Sequence, residues 1–199
     1  MPKVVDRERR RGELAAAAAR VVSRIGLEGV SVQAVAAEAG CSVGSIAHYF
    51  RNKDELLLHA LRVVTEALLA PLRELAGGAG TVDGLQALAR ASLPLDAARE
   101  RDWRVRLAFW TRGSGPPEEV QLARHQLAEW RALWEGALRA AQAQGSVRAD
   151  VDARETSAGV VALIVGSATQ LLLRPRSTAG AALAAVVDGH LRALAARAR

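Results

Sequence analysis

Apolar residues recur at three- and four-residue spacing along nearly the whole chain, and strand-type alternation of useful length is absent, so helices are the expected elements throughout. Leu14, Ala18, Val21, Val22 and Ile25 form the first apolar stripe and predict a helix from Asp6 to Ile25, weakly interrupted at Gly12. A loose arm is expected at residues 1–5, and Gly26 to Gly29 should close the helix. The stretch SVQAVAAEAGCSVGSIAHYFRNK then reads as two short helices joined by a tight turn. Ser31 and Ser42 are good N-caps for them. Ala36 falls where the two helices touch and only a small side chain fits. Gly40 falls where the turn needs positive φ, and Ile46 where the second helix packs back on the first. Val35, Ala39 and Val43 fill the remaining seam, and Tyr49 and Phe50 end the third helix. A second helix held this way projects a polar face whose shape suits a DNA major groove.

Asn52 caps a fourth helix, with Glu55 placed as in a capping box, and Leu56, Leu57, Ala60, Leu61, Val64, Leu68 and Leu72 form its stripe. Pro71 should kink it or end it early. After the break at Gly77 to Gly80, Thr81 or Asp83 starts a fifth helix that stops before Pro94. Asp96 starts a sixth, through Trp103, Leu107 and Trp110. The loop Gly113 to Pro117 leads into a long seventh helix, whose start is marked by its prolines and by Glu118 and Glu119, and whose end lies near Gly145. Asp152 and Glu155 open an eighth helix that reaches Leu173, ahead of Pro175. Ser177 opens a ninth, expected to fray over 196–199. The expected fold is all-α with nine helices. A helix-turn-helix domain over 1–51 precedes a helical domain over 52–199.

Composition agrees with this reading. Half of the 199 residues are hydrophobic, which allows a sizeable core. The net charge of +6 suits a nucleic-acid partner or a membrane surface, and arginine-rich coding bias accounts for it equally well. Cys41 is the only cysteine, so an intramolecular disulfide and a cysteine-based zinc site are excluded; at the turn it serves as a small buried apolar residue. The N-terminus is charged and lacks the apolar core of a signal peptide, and the run from Ala158 to Leu173 is a poor membrane span, so a cytoplasmic location with no membrane is expected. The histidines His48, His59, His125 and His190 show no metal-type spacing, and no nucleophile motif or phosphate loop is present. Neither a catalytic site, a metal nor a cofactor is expected.

One family shares these features. Ile25-Gly26, Val30-Ser31-Val32, Val35-Ala36, Ala39-Gly40, Val43-Gly44-Ser45-Ile46, His48-Tyr49-Phe50 and Lys53-Asp54-Glu55-Leu56-Leu57 resemble the head of the TetR (tetracycline-repressor-like) family of bacterial transcription regulators. The nine-helix layout agrees with that family over the full length. Ala47 departs from it, since many relatives carry a DNA-touching tyrosine there. That small residue, and the segment Trp103 to Trp110, resemble the choline-sensing betaine-pathway repressor subgroup.

The resemblance implies that the third helix enters the major groove of a palindromic double-stranded operator. Mapped by motif, the DNA-contacting residues are Ser31, Gln33, Ser42, Val43, Gly44, Ser45, Ala47, His48, Tyr49 and Lys53. Gly44 lets the backbone approach, Val43 and Ser45 reach base edges, and Tyr49, His48 and Lys53 reach phosphates. Ser31 and Ser42 fit equally well as caps alone. Arg7, Arg9, Arg10 and Arg11 either clamp phosphates or form a solvated face.

Helices eight and nine are apolar on more than one face, which calls for cover on both sides. A homodimer through Val161, Val165, Ala168, Leu172, Ala184, Val187 and Leu191 supplies it. Trp103, Leu107 and Trp110 share one face of the sixth helix, and Trp130 and Trp134 one face of the seventh, where His125, Gln126 and Glu129 either supply a polar group or form an exposed polar face. These residues either line a pocket for a small hydrophobic or cationic effector or simply pack the core. The family's mechanism is a two-state switch in which effector binding changes the separation of two DNA-binding heads. A regulator triggered by a protein partner, or one with no small ligand, is the alternative.

Overall fold

A computed structural model describes residues 2–111, 117–173 and 179–196, with side chains from Asp6 onward except that of Ala179. The described residues form nine α-helices: α1 (Pro2–Ile25), α2 (Val32–Ala39), α3 (Val43–Ala47), α4 (Lys53–Gly77), α5 (Val82–Ser92), α6 (Ala97–Thr111), α7 (Pro117–Ala143), α8 (Ala153–Leu172) and α9 (Ala179–Arg192). The all-α expectation holds. The starts expected around Pro116 and Ser177 lie outside the described residues.

Local signals explain most boundaries. Ser31 Oγ accepts the Ala34 N–H at 3.1 Å, Ser42 Oγ that of Ser45 at 3.1 Å, and Asn52 Oδ1 that of Glu55 at 2.8 Å. Thr81, Asp96 and Asp152 cap α5, α6 and α8 in the same way. Gly26 and Gly40 end α1 and α2 in the left-handed region, at φ 72° and 63°.

Four details differ from expectation. The arm at 2–5 continues α1 as helix. α4 runs through Pro71 to Gly77, so the proline does not end it. α3 is only five residues long, and Tyr49 and Phe50 lie in the turn after it, their N–H groups both bonded to the Ile46 carbonyl. Ala196 is tied down, its N–H bonded to the Ser146 carbonyl beside an isolated bridge between Val147 and Ala195.

The chain divides into two compact units. The first comprises residues 1–67 and 101–123, and the second 68–100 and 124–199. The first unit therefore takes in the start of α4 and most of α6, beyond the 51/52 boundary read from the sequence. The reason is packing: Val105 and Phe109 of α6 join Leu14, Val35, Ile46, Phe50, Leu57 and Leu61 in one buried cluster. Arg20 and Arg24 of α1 grip Glu38 of α2 at 2.6 and 2.7 Å, and the hydrogen bond from Arg20, with that from Arg24, holds this carboxyl below its usual range.

In the second unit, Leu85, Leu88, Trp134, Leu138, Val160, Ile164, Val187 and Leu191 are fully buried. Asp188 of α9 accepts Arg90 of α5 at 2.5 Å, and its carbonyl accepts the Gln86 amide at 3.2 Å.

Candidate DNA-reading face and effector-sensing helices

The turn between α2 and α3 sets the geometry of the outer face. Ile46 is buried on one side of α3, which turns Ser42, Val43, Gly44, Ala47 and His48 to solvent. Val43, expected to fill the seam between the two helices, is instead 42 % exposed and lies outside the buried cluster. A Cβ placed on Gly44 would meet only Ser42 Oγ, at 3.7 Å, so the fold itself does not require glycine there. Ser45 is half-buried and its hydroxyl lies 3.0 Å from that of Ser42. Ser31 and Tyr49 are half-buried, and Gln33 on α2 is exposed. Lys53 Nζ donates to the Val30 carbonyl at 2.8 Å, so this lysine also ties the start of α4 to the loop before α2.

The basic residues of α1 divide. Arg9 pairs with Asp6 and Glu13, and Arg10 with Glu13, along the helix surface. Arg11 turns inward, contrary to the phosphate-clamp expectation. Its Nη1 donates to the Tyr49 carbonyl at 2.8 Å, its guanidinium lies 4.7 Å from the Phe50 ring centroid, and it pairs with Glu55 at 3.4 Å. Glu55 also accepts the Arg51 backbone N–H, the main cause of its lowered pKa. Arg11 thus braces the turn that follows α3. Its partners come from distant segments, which is why spacing did not reveal it. Nearby, the His59 ring lies tilted against that of Phe50, with centroids 5.7 Å apart, and burial, aided by the charge of Arg11, lowers its pKa.

The residues expected to sense an effector fall in both units. In the first, Trp103 is fully buried, Leu107 and Trp110 are half-buried, and the two indoles meet edge to face at 6.3 Å. In the second, Trp130 and Trp134 are buried, whereas His125 is exposed and turned away from that core, so it is not a lining residue there. Gln126 shares the buried face of α7 with these two tryptophans, at successive four-residue steps, and its Oε1 has no hydrogen-bond partner; the same is true of Trp134 Nε1.

Sequence reasoning missed Arg106. It shares a face of α6 with Trp103 and Trp110, and that three- and four-residue spacing was the available signal. The side chain is 1 % exposed. Its guanidinium carbon lies 4.9 Å from the Trp103 ring centroid and 6.0 Å from that of Trp110. Nη2 donates to the Val64 carbonyl of α4 at 3.1 Å, while Nε and Nη1 have no acceptor. Burial lowers its pKa to about 10, so it is charged at neutral pH. A buried, poorly paired charge costs several kcal/mol, against about 2 kcal/mol from desolvated cation–π contact. The cation that lies against these two indoles is thus the chain's own.

Four of the residues expected to face a second copy are core residues instead. Val161, Ala168, Val187 and Leu191 are at most 1 % exposed within one chain and cannot reach another. Val165, Leu172 and Ala184 are half-buried. The outward stripe runs through Gly159, Ala162, Gly166 and Leu173 of the α8 segment and Ala185 and Val186 of α9, with Leu173 81 % and Val186 53 % exposed. The helical period was right and the face was turned.

Two family models match successive stretches of the chain, and the second of them spans residues of both compact units. Residues 14–60 match the bacterial regulatory proteins of the tetR family, and residues 81–196 match the C-terminal domain of BetI-type transcriptional repressors. The chain belongs to the TetR family, with a BetI-type C-terminal domain. It is a DNA-binding transcriptional regulator. Its relatives include the HTH-type transcriptional regulator BetI of Burkholderia ambifaria (strain MC40-6), 33 % identical over 168 residues, covering 83 % of this chain and 84 % of that protein. The regulator PksA of Bacillus subtilis (strain 168) is 42 % identical over 76 residues, or 38 % of this chain and 37 % of that one. Among solved structures, a transcriptional regulator from Rhodococcus sp. Rha1 aligns with TM-score 0.77 and 32 % identity, covering 95 % of this chain and 99 % of that one. A Saccharomonospora viridis regulator solved in complex with choline aligns with TM-score 0.85 and 24 % identity over 96 % and 100 % of the two chains, a likeness of fold.

Proposed function

We propose that this TetR-family protein is a homodimeric repressor that holds a palindromic operator through α3 and releases it when a small effector binds among its other helices. The observation that carries the DNA half is the exposed face of α3, with Gly44 open to close backbone approach and the apolar Val43 42 % exposed beside it. On this reading Ser42, Val43, Gly44, Ser45 and Ala47 meet base edges and groove walls, while Gln33, His48, Tyr49 and Lys53 meet phosphates. Ser31 and Ser42 keep their capping bonds while doing so.

The effector half is supported, within the second unit, by the unpartnered polar atoms of Gln126 and Trp134, which share one buried face of α7. The choline-bound fold relative supports a small molecule as the trigger. The outward stripe of α8 and α9 supplies the surface for a second copy, and small residues there permit close helix approach. The protein acts in the cytoplasm without catalysis, metal or cofactor.

The test is a gel shift with the gene's own upstream region at low salt, run beside light scattering. A dimer mass and retarded DNA are expected. A monomer at micromolar concentration, or free DNA at every protein concentration, overturns the proposal. Release by a protein extract and by no small molecule would replace the effector with a protein partner.

A further inference from the structure

Arg106 is the buried charge that the DNA-reading mechanism does not use. We infer that it anchors an anion subsite between α4 and α6, and that the effector carries a carboxylate on an apolar body. This deepens the effector reading above and depends on it.

Three observations converge on that chemistry. The guanidinium is 1 % exposed, yet Nε and Nη1 have no acceptor. The five N–H groups of an arginine form a planar fork matched to carboxylates, and here one hydrogen bond, to Val64, is made. Further donors lie on the same two helices: the Trp110 indole N–H and the hydroxyl of Thr65, the residue after Val64, are both buried without partners. A quaternary ammonium has no hydrogen to offer and is repelled by the fixed cation. The faces of Trp103 and Trp110 that would attract it already carry Arg106 at 4.9 and 6.0 Å. The charge of Asp102 already offsets part of the cation, but Nε and Nη1 stay without acceptors, and a carboxylate accepts from them with its apolar body toward the indoles.

The same contact supplies a route to the switch. Arg106 joins α6 to α4 at the Val64 carbonyl, and α4 begins at Lys53, beside the turn that Arg11 braces. A carboxylate drawing the guanidinium off Val64 releases that tie.

The experiment follows tryptophan emission of the full-length protein titrated with octanoate, benzoate, octan-1-ol and choline, with the protein–DNA complex titrated in parallel. Saturable binding of a carboxylate at least about tenfold tighter than both octan-1-ol and choline is the expected result. Arg106→Gln should erase the margin of octanoate over octan-1-ol, and Arg106→Lys should keep part of it. Equal affinity for octanoate and octan-1-ol, tighter choline binding, no saturable response to either carboxylate, or an Arg106→Gln protein that keeps the margin overturns the subsite. The wild-type comparison decides the matter even if the glutamine variant does not fold. The two readings fail separately: release of DNA by choline or octan-1-ol alone breaks the anion subsite and leaves the effector reading intact, whereas carboxylate binding that never releases DNA breaks the effector reading and leaves the subsite.

Discussion

Helix α3 and most of α6 lie in the same compact unit and treat their polar atoms in opposite ways. Around α3 the capping bonds are made: Ser31, Ser42 and Asn52 each accept a backbone N–H, and what remains faces water. Along α6 polar atoms are buried and left unmatched, at Arg106 and Trp110. An exposed polar group loses little while it waits for a partner, because water serves it. A buried one has no substitute, so each unmatched atom lowers stability until something fills the space. The first arrangement is a finished surface that docks as a rigid body. The second is an interior that keeps buried donors unmatched, as the effector site proposed above requires.

The sharpest way to break this comparison is at Gly44. Gly44→Leu should weaken operator binding about a hundredfold, close to 3 kcal/mol, with an unchanged melting temperature. A variant that binds normally shows that α3 does not approach DNA closely. In the second unit, Gly166 is exposed and a Cβ there meets no atom within 4 Å. Gly166→Arg should leave the fold intact and convert a dimer to a monomer in light scattering; retention of the dimer moves the interface elsewhere.

Arg11 tests the brace behind α3. Arg11→Ala removes the bond to the Tyr49 carbonyl and the contact with Phe50 and should cost about 2 kcal/mol in denaturant unfolding, with DNA affinity falling alongside. A stability equal to wild type refutes the brace. Thr65 tests the opposite side: Thr65→Val removes a buried, unmatched hydroxyl and should stabilise the ligand-free protein by about 1 kcal/mol. A loss of stability there means that the hydroxyl has a partner after all.

The smallest effect is a pH dependence. Burial lowers the His59 pKa below its unfolded value near 6.5, so the unfolded chain binds the proton more readily. Stability is complete above that value and declines as pH falls through it toward the folded pKa. His59→Gln should flatten the melting-temperature profile between about pH 5 and 7, and an unchanged slope assigns it to other groups.

Much of this was legible in the chain because it depends on neighbours. Caps, left-handed glycines and helical periods are set within four residues, so Ser31, Gly40, Ser42 and Asn52 could be placed from their immediate surroundings. The same locality made the exposed side of α3 readable, since burying Ile46 fixes the direction of the rest.

Facing is harder to read. A helix apolar all round gives no internal mark of which stripe a neighbouring helix covers, and for α8 and α9 the core took Val161, Ala168, Val187 and Leu191. The tryptophan spacing was visible too, but the exposure of His125 and the burial of Gln126 depend on which side of α7 meets its neighbours.

The sequence by itself determined the nine helices, their caps and the exposed recognition turn, because hydrogen bonding and side-chain period act over one or two turns of chain. Only the tertiary structure decided that α6 joins the head's core, that Arg11 braces a turn 38 residues away, and that Arg106 lies buried between two indoles with unmatched donors. Those outcomes rest on contacts between distant segments, where shape and desolvation choose among partners that local pattern leaves equivalent.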